Sequence, residues 1–181
     1  MRAAPRNFSR VEYDKMIDAG ILGEDERVEL VDGTIVEMSP EGVEHAGTID
    51  LCAEVLRRAF GQGFTVRVQH PIAIDPDGEP QPDLAVVAGE PRMHLAAHPT
   101  TAALLVEVSA SSLAYDRTVK ARLYARAGVP EYWIVNLVAR TVEVHREPSA
   151  SGFGSVESVS GGELAPLAAA GPRLAVADLL P

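Results

Sequence analysis

Glu107 stands in the stretch "TAALLVEVSA", Thr101 to Ala110, one carboxylate inside a run of Ala, Leu and Val built for burial. Taking an unpaired ionised carboxylate out of water is costly even after relaxation. Either Glu107 points to solvent, or something positive faces it, an arginine or a metal cation. A second carboxylate, Asp83, opens the apolar run "PDLAVVA". Strand side chains alternate between faces. Leu105, Glu107 and Ser109 therefore share one face and Leu104, Val106 and Val108 the other, while Asp83 goes with Ala85 and Val87. If the two runs are antiparallel neighbours, the start of one meets the end of the other and the carboxylates converge. Two carboxylates in one low-dielectric corner repel. Mg²⁺ or Mn²⁺ would relieve that repulsion, since such ions accept one or two carboxylates with waters and phosphate oxygens.

A lysine accompanies them. In "AYDRTVKARLYARAG" the spacing puts Val119, Leu123 and Ala127 on an inward stripe, and Lys120, three residues before Leu123, borders it. An ammonium there could orient an attacking water or steady a charged transition state. The plainer alternative is an exposed pair with Asp116, four residues earlier. Glu29, in "RVELVDGTIVEM", shares a face with Val31, Val36 and Met38 and is another inward-looking carboxylate. His45 lies four residues before Ile49 on a helical stripe, as a structural histidine or a base. "SASS" after Glu107 reads as a turn with capping hydroxyls, not a nucleophile, because no histidine base adjoins it. Arg117, Arg122 and Arg126, with Lys120, form a basic cluster, which is either a solvated helix face or a local grip for phosphates.

The elements that must position these groups can be read in order. Ser9 and Glu12 form a capping box for a short helix that Gly20 stops. Asp32-Gly33 joins two strand-like runs into a hairpin. "VEHAGTIDLCAEVLRRAFG" carries Ile49, Cys52, Leu56 and Phe60 at helical spacing. Strands follow in "FTVRVQHPIAI", "PDLAVVA" and "TAALLVEVS", then the lysine-bearing helix stopped by Gly128, then strands "EYWIVNL" and "RTVEVHRE". From 147 to 181 Gly and Ser dominate, which predicts a loop-rich edge with a short packing segment around "RLAVADLL". The expected fold is a mixed α/β (α+β) single domain, its helices against one mixed sheet.

Composition limits the function. Formal net charge is −10 over 181 residues, whereas surfaces that grip phosphates are usually basic. A nucleic-acid substrate therefore needs a local basic patch or a metal. One cysteine, Cys52, excludes an internal disulfide and a cysteine zinc site. The first residues lack the apolar core of a signal peptide, and no apolar run approaches the ~20 residues that span a bilayer, so no membrane partner is expected and a cytoplasmic location is.

"QPDLAVV", "LLVEVS", "DRTVKARLYARAGVPEYWIV" and "RVELVDGTIVEMSP" together resemble the Uma-two family, described as restriction endonucleases of the PD-(D/E)XK nuclease superfamily. The resemblance covers roughly residues 8 to 146. It implies a restriction-endonuclease-like core, with an N-terminal helix and β-hairpin, in which Asp83, Glu107 and the Val108 carbonyl hold Mg²⁺ or Mn²⁺. The superfamily lysine normally lies two residues after the acidic one, where this chain has Ser109. Lys120 matches the family's lysine on the next helix and implies a migrated position. Ala110 stands where relatives are often acidic, and Glu29 and His45 match family-typical positions facing the site. The implied activity is metal-dependent hydrolysis of DNA phosphodiester bonds, leaving a 5′-phosphate. The alternative is a nuclease-fold binding or assembly module without useful turnover, motivated by the acidic charge and the lack of a sequence-reading motif. A symmetric homodimer would widen a small footprint.

Overall fold

The computed structural model describes residues 5–23 and 25–181. Helix α1 (Arg10–Asp18) starts at Ser9, whose hydroxyl accepts from the Glu12 amide while Glu12 reaches back to the Ser9 amide. This reciprocal cap satisfies two donors that the first turn leaves open. Strands β1 (Val28–Val31) and β2 (Thr34–Glu37) pair antiparallel with Val31 opposite Thr34. The connecting Asp32 and Gly33 both take positive φ, 51° and 75°, as the tight two-residue hairpin turn requires. Glu29 lies opposite Val36, on the face it was expected to share.

Helix α2 (Val43–Phe60) is followed by β3 (Phe64–Val68), β4 (Leu84–Ala88) and β5 (Leu104–Ser109). The lysine helix comes in three pieces: α3 (Leu113–Tyr115), a π-helical turn (Asp116–Lys120) and α4 (Ala121–Arg126). Then come β6 (Glu131–Asn136), β7 (Thr141–Ser149) and β8 (Gly152–Val159). These build a six-stranded mixed sheet in the order β3-β4-β5-β6-β7-β8, antiparallel except for the β5–β6 pair. That one parallel step needs a crossover, which the lysine helix supplies.

One face of the sheet packs Leu84, Val86, Leu104, Val106 and Trp133 against Ile49, Cys52 and Leu56 of α2. The other packs Ala85, Leu105, Tyr132 and Ile134 against Leu123 and Tyr124 of α4 and Val31 of the hairpin. Strands β4 and β5 are buried on both faces up to Ala88, as their continuous apolar runs predict.

Three features depart from expectation. The 147–181 stretch is not a loop-rich edge, because β8 extends the sheet beside β7 and the short strands β9 (Glu163–Leu164) and β10 (Leu174–Ala175) pair with each other. Gly and Ser dilute the apolar pattern of β8 because it is an edge strand, with much of its length exposed. The "FTVRVQHPIAI" strand ends at Val68, where Gln69 turns to a φ of 50°. On the lysine helix the π turn rotates the inward stripe, so Asp116, Lys120, Leu123 and Tyr124 are buried while Val119 and Ala127 are only partly so.

Candidate active site

The β4–β5 register pairs Leu84 with Val106, which brings Asp83, just before β4, beside Glu107 near the end of β5. Carried two residues further, the same register sets Pro82 opposite Val108. Proline has no N–H, so it cannot continue the ladder there. The Val108 amide donates to Asp83 Oδ2 at 2.8 Å. The Asp83 amide in turn lies 3.4 Å from Glu107 Oε2. Both carboxylates are buried, Asp83 at 7% and Glu107 at 4% exposure.

Lys120 comes in from the helix packed on this face. Its Nζ lies 3.0 Å from Glu107 Oε1 and 3.3 Å from Glu29 Oε1. Tyr124 Oη donates to the same Glu107 oxygen at 2.7 Å. The hairpin holds Glu29 in place through the Gln81 amide, which donates to Glu29 Oε2 at 2.9 Å. His45, on the first turn of α2, points its Nε2 at Asp83 Oδ2, 3.4 Å away. All six residues expected at the site, Glu29, His45, Asp83, Glu107, Val108 and Lys120, line one cleft of about 480 Å³. The exposed Asp116–Lys120 pair that the spacing left as an alternative does not form. Both residues are buried, and Asp116 takes the Ser112 hydroxyl at 2.7 Å.

Electrostatics follow from this crowding. Burial, offset in part by Lys120, pushes the Glu107 carboxyl up to about 8, with Asp83, Asp116 and Glu29 adding repulsion. Burial raises Asp116 as well. Burial alone would lower Lys120, but Glu107, Glu29 and Asp116 outweigh it and hold the ammonium firmly protonated. Contact with Asp83 raises His45. The corner holds more carboxylate than its one ammonium can neutralise.

The donor set suits a hard divalent cation. Glu107 Oε1 is saturated by Lys120 and Tyr124, whereas Oε2 has only the long Asp83 amide contact. Among the described residues Asp83 Oδ1 accepts no hydrogen bond, and Pro82 can offer none to the Val108 carbonyl. Two carboxylates and a carbonyl match an ion that keeps several waters. They do not make a dedicated protein cage: among the described residues no three His, Cys, Asp or Glu side chains form a metal-holding group.

The Uma2 family profile, described as "Putative restriction endonuclease", matches residues 10–177. The chain belongs to this family. A crystal structure from Anabaena variabilis, described as a "putative nuclease belonging to DUF820", is similar over 95% of this chain and 97% of that one, with 15% identity and a TM-score of 0.72. At that identity the likeness speaks for the fold alone. No curated protein matches the chain.

For a Uma2 chain, the departures from the motif reading matter most at the helix. Asp116 and Tyr124 belong to the site's surroundings and were missed, because a buried aspartate and a buried tyrosine on a helix look like ordinary surface and core positions. Spacing held a signal all the same: Asp116, Lys120 and Tyr124 repeat every fourth residue on one face. Of the basic cluster only Lys120 reaches the cleft as a buried charge. Arg117 is bound to Glu143 at 2.6 Å, Arg122 to Asp32 at 3.1 Å, and Arg126 to Asp32 and Asp75 at 2.8 and 3.1 Å. The helix therefore offers no unpaired phosphate grip. "SASS" forms the expected turn, but Ser112 bonds the Asp116 side chain and makes no side-chain cap to the helix.

Proposed function

We propose that the chain is a Mg²⁺- or Mn²⁺-dependent phosphodiesterase of nuclease type, acting on DNA. The observation that carries this reading is the pair of underused carboxylate oxygens, Asp83 Oδ1 and Glu107 Oε2, beside a permanently charged Lys120. Asp83 and Glu107, with the Val108 carbonyl, would hold the ion. When bound, it would polarise the scissile phosphate and acidify a coordinated water. Lys120 cannot accept a proton while two carboxylates hold it charged. Its part is to orient the attacking water and stabilise charge developing on the phosphate. Tyr124 fixes the Glu107 carboxylate, and Glu29 fixes Lys120.

Calorimetric titration of Mn²⁺ into metal-free protein tests the reading. Wild type is expected to bind, and Asp83→Ala and Glu107→Ala are expected to abolish binding while remaining folded. Hydrolysis of bis(4-nitrophenyl) phosphate and then of DNA should disappear in the same variants. Metal binding that survives both substitutions would overturn the assignment.

The rest of the cleft lining favours a second reading. Beyond the metal corner Glu37, Glu41 and Glu44 line it, and Arg27 is bound to Glu41 at 2.6 Å. An acidic mouth repels a polyanion and suits either a small phosphate ester or a binding module that turns nothing over. DNA hydrolysis with a steep salt dependence would support the first reading, and hydrolysis of small esters alone the second.

A further inference from the structure

Strand β8 is the last of the sheet, and among the described residues no strand pairs with its outer side. Such an edge presents a row of open N–H and C=O groups. Proteins blunt it by shortening the strand, by placing charge or proline on it, or by covering it. The opposite edge, β3, is blunted in this way. It runs for five residues, half-buried throughout, with the charge of Arg67 among them. β8 runs for eight, "GFGSVESV", with no lysine, arginine or proline and with Glu157 as its one charge. Its ladder to β7 breaks only at Gly154, beside Glu147, which takes a φ of 59°. From Ser155 to Val159 the pairing is unbroken, so this stretch is held straight on its inner side. Val156, Glu157 and Ser158 are exposed there, Val156 at 59%.

The edge is complementary to itself. Antiparallel pairing with β8 of a second copy, centred on Val156, sets that valine against its own counterpart. Each Glu157 then faces Ser155 of the other copy, and the two glutamates stay apart. Like charges directly opposite would be destabilising, and this register avoids them. It also places the contact where a chain of net charge −10 carries a single charged side chain. We propose that β8 is a homodimer edge, joining two copies about a two-fold axis at Val156. Closed two-fold pairs are the commonest assemblies. An axis of this kind stands perpendicular to the sheet, so the two sheets become one and both lysine helices pack on the same face of it. The proposal does not depend on the phosphodiesterase reading.

Sedimentation velocity over a range of concentrations tests it on wild type, Val156→Thr and Val156→Lys. Val156 lies outside the cleft lining and is largely exposed, so both variants should keep the wild-type circular dichroism and Mn²⁺ binding. Wild type should dimerise reversibly. Threonine keeps the branched side chain that suits a strand and should keep the dimer. Lysine sets two ammonium groups against each other and should raise the dissociation constant about tenfold or more. A wild type that stays monomeric at every concentration would overturn the proposal and leave the edge to a strand from a different protein. A dimer that Val156→Lys leaves intact would overturn it too, because the contact would then lie on another surface.

Discussion

Lys120 Nζ lies 3.3 Å from Glu29 Oε1, so the crossover helix and the N-terminal hairpin meet through a buried ion pair at the cleft. The same ammonium holds Glu107 at 3.0 Å. One lysine therefore ties the hairpin, the central strand and the helix together, and its chemistry cannot be separated from its structural part by a single substitution.

Lys120→Met should abolish activity and lower stability by about 3–5 kcal/mol, since it strands buried carboxylates without their cation. Pairing it with Glu107→Gln should restore much of the stability and none of the activity. Urea unfolding of the two proteins, beside the esterase assay, checks both halves.

Arg122→Gln and Arg126→Gln should leave nucleic-acid affinity and its salt dependence unchanged, because Asp32 and Asp75 already neutralise these side chains. A residue that grips phosphate would lower the salt slope by about one on removal. Binding isotherms at three salt concentrations distinguish the cases, and a reduced slope would restore the helix as a phosphate contact.

Acid should destabilise the fold through His145. Burial against Tyr132 and Phe153 lowers its proton affinity, with Arg117 acting the same way and Glu143 opposing. A group whose folded pKa is depressed binds fewer protons folded than unfolded, so stability rises with pH across the gap. It should be fully present above the unfolded value of 6.5 and be lost as pH falls below it toward the folded one. Melting temperatures between pH 5 and 8 should show this limb in wild type and a flatter one in His145→Phe.

Gly171→Ala should destabilise by more than ~1 kcal/mol, in the range of overpacked sites. An added Cβ would collide with the Ala59 carbonyl near the end of α2, a backbone atom that cannot swing aside. Chemical denaturation measures the effect, and unchanged stability would mean that the 171 segment is free to move off the helix.

Much of the site was legible before any coordinates. Alternation fixed which neighbours share a face with Glu107 and which with Asp83, leaving their convergence to the strand pairing, and the Asp-Gly turn aimed Glu29 inward, because both depend on local periodicity and turn chemistry. The lysine in place of Ser109 was harder to read. Its ammonium arrives from another element along a four-carbon stem, and only the packing of helix on sheet decides that it ends at Glu107. The neutralised arginines were illegible for a related reason. Arg117 finds Glu143 and Arg126 finds Asp32 across 26 and 94 residues, distances over which sequence carries no pairing rule.

By itself, then, the sequence determined what is periodic and near: the capped first helix, the hairpin, the doubly buried strands, and the residue types that could bind a metal or a phosphate. Tertiary structure decided what depends on convergence. It buried Asp116 and turned it from a surface partner into a cleft carboxylate, and it made an edge strand of the Gly- and Ser-rich 152–159 stretch. The physical reason is the same in each case. A side chain's charge state and partners follow from desolvation and from neighbours brought together by the whole sheet, and neither is a property of the residue's place in the chain.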